Sequence, residues 1–208
     1  MFIDKEFRQL YQLLDYGMVD VDCGIKCGRF CCVGDRDSEP AFKYLLPGEV
    51  EHLVMCGFHE HAVLEDFGFL IHYRAIKTGS CACENIREHR PFCCRVFPFR
   101  PEIDISAQRV VGLWKTESKR FLPCWIDKPS EDWKQRAIRA WNMLFSDRTY
   151  LEFYARYYLC LKESEKTDLS FVELIEKDEG FREKMLSLQT LPIEHLWSMC
   201  KSFFAYID

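Results

Sequence analysis

Several absences narrow this chain before any motif does. No uninterrupted apolar run approaches the roughly 18 residues of a membrane span. The opening MFIDKEFRQL carries charges at Asp4, Lys5, Glu6 and Arg8, which interrupt the apolar core that a secretory signal needs. There is no glycine-rich phosphate loop, no G-x-S-x-G elbow and no dinucleotide fingerprint. His59-Glu60-His61 lacks the i, i+4 spacing of a zinc-protease helix. Positive charge is not in excess: 28 Lys and Arg face 33 Asp and Glu, a net charge of -5, so nothing points to general nucleic-acid affinity. Internal repeats and low-complexity tracts are missing too. These absences favour a cytoplasmic protein in a reducing compartment.

Cysteine, by contrast, is abundant. The chain has 12 in 208 residues. Without a secretory leader, clustered thiols read as metal-binding or catalytic rather than as a disulfide framework. They gather between residues 23 and 124. CGIKCGRFCC holds Cys23, Cys27, Cys31 and Cys32, and a second group comprises Cys81, Cys83, Cys93, Cys94 and Cys124. Thiolates a few residues apart converge on one centre when a loop curls, and two such groups joined by the fold are the usual arrangement of zinc and iron–sulfur sites. Adjacent residues of an extended backbone point to opposite sides, so Cys31 and Cys32 suit two centres, a bridging thiolate, or one ligand beside a bystander. The spacing C-x3-C-x3-CC matches neither bacterial ferredoxins nor a plain C-x2-C zinc ribbon. Cys56, Cys160 and Cys200 lie on apolar helical stripes and read as small buried hydrophobes.

Apolar residues at 48% and aromatics at 15% allow a sizeable core. Residues 2–18 have helical spacing at Ile3, Phe7, Leu10, Tyr11, Leu14 and Met18. A short helix near 47–56 is expected to start at Pro47 and bury Val50, Leu53 and Val54. FGFLIHYRA over 67–75 reads as a strand. Residues 79–101, with Pro91, Pro98 and Pro101, read as extended and irregular. Ile103–Ile105 and Arg109–Trp114 read as a hairpin. Beyond Cys124 the texture turns helical: Ser130 is an N-cap for a stripe of Trp133, Ala137, Ile138, Trp141, Leu144 and Phe145. A second stripe runs from Tyr150 to Leu161, Lys162–Asp168 reads as a loop, 169–188 as a helix broken at Gly180, and 193–207 as a last amphipathic helix. The expectation is an α+β fold: an irregular cysteine-rich metal-binding core with a few short strands over 1–128, covered by a helical part over 129–208.

Arg90-Pro91-Phe92-Cys93-Cys94-Arg95-Val96-Phe97-Pro98 fits an RP-x-x-CR-x-FP segment. Together with CGIKCGRFCC, Gly28 after the second cysteine, Glu49 in LPGEVEHL and the later Cys124, it resembles the YkgJ-type cysteine-cluster family, described as zinc- or iron-chelating proteins. The likeness covers about residues 18–128. Both spacers of the first group are one residue longer than the family's usual C-x2-C-x2-CC, and Cys81 and Cys93 are extra neighbours. The resemblance implies a ligand set of Cys23, Cys27, Cys31, Cys32, Cys81, Cys83, Cys94 and Cys124, enough for two four-thiolate sites; the plainer alternative has four of them binding one ion. It implies zinc or an iron–sulfur cluster as the cofactor.

Lys26, Arg29, Arg74, Lys77, Arg87, Arg90, Arg95 and Arg100 surround the two groups in sequence. They would offset the charge of bound thiolates, form a solvated basic face, or meet an acidic or protein partner near 74–100. His52, His59, His61, His72, His89 and His195 read as structural or surface residues, with His89 a distant ligand candidate. Closed all-cysteine zinc would be structural. An iron–sulfur centre would admit electron transfer or oxidoreductase chemistry. A flagellin lysine N-methylase related to the same family makes protein methylation a third reading.

Overall fold

The computed structural model describes residues 4–15, 18, 44–56, 62–68, 70–75, 90–104, 107–116, 124, 126–164, 166–167, 169 and 171–204. Helix α1 (Asp4–Leu14) places Asp4 and Glu6 in its first turn, where negative charge suits the helix dipole, and buries Phe7, Leu10, Tyr11 and Leu14 on one face. Its last turn is held by Arg136, whose Nη1 donates to the Leu13 carbonyl at 2.7 Å.

Two small antiparallel sheets follow. β1 (Tyr44–Leu45), β2 (Ala62–Asp66) and β3 (Ile71–Ala75) form a sheet in the order β1-β3-β2. The strand expected over 67–75 therefore begins only at Ile71. Residues before it make the turn of the β2–β3 hairpin: Gly68 has φ 81°, its N–H meets Asp66 Oδ1 at 2.7 Å, and the Phe67 N–H reaches the Leu70 carbonyl at 3.1 Å. The second sheet pairs β4 (Phe99–Asp104) with β5 (Arg109–Lys115), the hairpin the alternation anticipates, extended back to Phe99 and bulged at Glu102/Ile103.

Two short helices differ from expectation. α2 (Glu49–Met55) buries Glu49, His52 and Leu53, while Val54 is 43% exposed. α3 (Phe92–Val96) occupies part of the segment expected to be extended; Pro91 precedes its first turn, where a missing N–H costs nothing. A cis Phe97–Pro98 bond leads into β4.

The later helices pack on one another, on α1 and on β5. α4 (Glu131–Phe145) is capped by Ser130, whose Oγ accepts the Trp133 N–H at 3.2 Å. α5 (Arg148–Ser164) runs through the start of the expected loop at 162–168. α6 (Phe171–Lys177) and α7 (Glu179–Ser187) are separated at Asp178, not Gly180, because Asp178 accepts the Phe181 N–H at 2.9 Å and starts the second helix. α8 (Ile193–Phe204) packs on α5.

The described fold is mixed helix and strand with a continuous core. Trp141 anchors it: Phe92 stands edge-on at 4.7 Å, with Tyr154 at 5.1 Å and Phe145 at 5.4 Å, and Phe99 packs at 5.9 Å on Trp133. Fully buried apolar side chains contribute roughly 1.5–3 kcal/mol each. Among the described residues, no helix is long and apolar enough to cross a membrane.

One polar contact joins α4 to the hairpin. Asn142 accepts the Val110 N–H at 2.8 Å and donates to the Val110 carbonyl at 3.0 Å, acting as a strand partner for β5. Asn142→Ala leaves both backbone groups unpaired; it is expected to lower stability by about 1–3 kcal/mol, read as a lower urea midpoint with an unchanged slope.

Candidate metal centre

The cysteine-bearing helix α3 has only five residues, too few to hold its own shape in water. Its position comes from a carboxylate elsewhere in the chain. In LPGE, Gly48 turns through φ 80° and brings the Glu49 N–H to the Leu46 carbonyl at 2.9 Å. Glu49 Oε2 returns the contact, accepting the Leu46 N–H at 2.8 Å. Glu49 Oε1 then accepts the Phe92 N–H at 2.6 Å and the Tyr11 hydroxyl at 2.5 Å. Glu49 is 0% exposed, so these three donors replace its water. One side chain thus ties α1, the start of α2 and the first turn of α3.

Arg95 closes the other side. Its Nε donates to the Arg90 carbonyl at 2.6 Å, its Nη1 pairs with Asp15, and its guanidinium lies 3.9 Å over the Tyr11 ring. Tyr11 is therefore gripped through its hydroxyl by Glu49 and through its face by Arg95. His52 stands edge-on to Tyr11 at 5.1 Å, stacks on Phe7 at 5.6 Å, and shares a 2.6 Å hydrogen bond between Nδ1 and Asp4 Oδ1. Burial raises the Glu49 carboxyl, and the bonds from Leu46, Tyr11 and Phe92 and the charge of Arg95 oppose that rise. Burial, then the charge of Glu49, pushes the Tyr11 phenol well above its ordinary range, so it stays a neutral donor. Bonds from Arg8 and then His52 hold the Asp4 carboxyl low.

Cys93 and Cys94 sit half-buried against the core on α3. The backbone of that turn is fixed by the Cys94 N–H on the Pro91 carbonyl at 3.0 Å and the Phe97 N–H on the Cys93 carbonyl at 3.2 Å. The helix itself packs against α1 and β1. Cys124 is also half-buried; its carbonyl accepts Lys115 Nζ at 2.8 Å, and the same amine pairs with Asp127 at 2.6 Å. Lys115 is opposite Phe99 in the hairpin. The α3 turn and Cys124 therefore flank the same open end of β4–β5.

Cys23, Cys27, Cys31, Cys32, Cys81 and Cys83 lie outside the described residues, as do His59, His61 and His89. Among the described residues, no three His, Cys, Asp or Glu side chains converge as a metal site. The two ligand candidates that are described have the chemistry of soft-metal donors and share one end of a hairpin. Arg95, counted among cations around the thiols, is instead neutralised by Asp15. Tyr11, Asp15, Asp4 and His52 complete the surrounding network. The available signal for them is Glu49, a carboxylate three residues after Leu46 in an otherwise apolar turn.

The other thiols behave differently. Cys160 is 1% and Cys200 0% exposed. Burial pushes the Cys160 thiol far up and the Cys200 thiol to about 12. Cys56 ends α2 and is raised by burial more modestly.

Two measurements follow from these environments. Glu49→Gln replaces one acceptor oxygen with a donor and is expected to cost about 1–3 kcal/mol at neutral pH. Because the folded carboxyl titrates above its ordinary 4.5, the folded state binds that proton more tightly than the unfolded chain. Its contribution is greatest below pH 4.5 and declines as pH rises through the raised value. The stability difference between wild type and Glu49→Gln, measured by urea unfolding across pH, should follow that slope. In native protein, iodoacetamide should leave Cys160 and Cys200 unmodified by peptide mass mapping, with labelling only after denaturation.

No family model, curated protein or solved structure matches this chain, so its functional reading rests on its own residues.

Proposed function

We propose that this chain is a metal-binding protein of the YkgJ-type cysteine-cluster kind, holding zinc or an iron–sulfur centre through clustered thiolates. The observation that carries the reading is the Glu49 tie. It joins two segments on which the sequence resemblance rests, LPGEVEHL and RP-x-x-CR-x-FP, through the 2.6 Å bond to Phe92. A buried carboxylate used to brace a five-residue helix with two half-buried cysteines makes sense when the positions of those cysteines matter. The split among thiols adds support: Cys160 and Cys200 are buried and their thiolates suppressed, whereas Cys93, Cys94 and Cys124 are half-buried.

Cys23, Cys27, Cys31, Cys32, Cys81, Cys83, Cys94 and Cys124 would hold the metal. Bound zinc would contribute closed, tetrahedral structural coordination; a cluster would contribute one-electron redox chemistry. Glu49 and Arg95 orient the cysteine helix, and the core behind Phe92 and Trp141 keeps water from that side.

Anaerobic purification followed by iron, zinc and sulfide assay tests this. Stoichiometric zinc in a colourless protein, or iron with sulfide in a brown one, is expected. Cys94→Ser and Cys124→Ser should lower the metal content, while Cys160→Ala should not. Metal-free protein with intact disulfides would overturn the reading.

A further inference from the structure

We draw no further inference here: the strongest candidate, the cross-strand pair of Arg100 and Trp114 on the β4–β5 hairpin, whose buried Nη1 and Nε1 donors have no hydrogen-bond partner among the described residues, carries no proposal because nothing in the structure shows what group would lie against them.

Discussion

The described structure depends most on one buried carboxylate. Glu49 accepts from Leu46, Phe92 and Tyr11 at once and is fully removed from solvent. Burying a carboxylate is expensive unless nearly every lone pair is engaged, so the three donors and the carboxylate fix one another. The consequence is geometric. The first turn of α3, the turn before α2 and the inner face of α1 cannot shift separately. A five-residue helix with no strength of its own thereby holds its two cysteines in a defined place. Phe92, immediately beside the bond, carries that order into the core through its edge contact with Trp141.

Charge around this tie is sorted rather than spread. Arg95 faces inward and is spent on Asp15, the Arg90 carbonyl and the Tyr11 ring. Lys115 bridges Cys124 to Asp127 at the open end of the hairpin. Arg100 stands apart, its guanidinium over the Trp114 ring and its buried Nη1 without a hydrogen-bond partner among the described residues. The thiols are sorted as well. Those in α5 and α8 are core residues whose ionisation burial suppresses, and those near the hairpin end keep partial access to solvent. The described cysteines thus occupy two kinds of environment.

Much of the helical part was legible in the residues themselves. Ser130 caps as its type predicts, and the stripe from Trp133 to Phe145 is long enough to set its own phase. Short elements were not legible for the same reason reversed. Seven residues of α2 are too few to define a clear stripe: Leu53 is buried as expected, but Glu49 and His52 turn inward with it because distant partners meet them. Phe67 and Leu70 looked like strand because they are apolar, yet they bond to each other around Gly68 at positive φ. Prolines argued against a helix at 92–96, although Pro91 stands just before the first turn, where a missing N–H costs nothing. At the candidate site, the cysteines stood out by type and spacing, and Glu49 only through the family resemblance. Their connection through Tyr11, Asp15 and Arg95 spans up to 84 residues of sequence and leaves no local pattern.

The central claim is that sulfur from these cysteines forms the ligand shell of a metal held beside the Glu49 tie. X-ray absorption at the metal edge of anaerobically purified full-length protein tests it most directly. The account predicts a first shell of sulfur alone, at about 2.3 Å for zinc or at iron–sulfide and iron–thiolate distances for a cluster. A first shell dominated by nitrogen and oxygen, or no stoichiometric metal to measure, would contradict it.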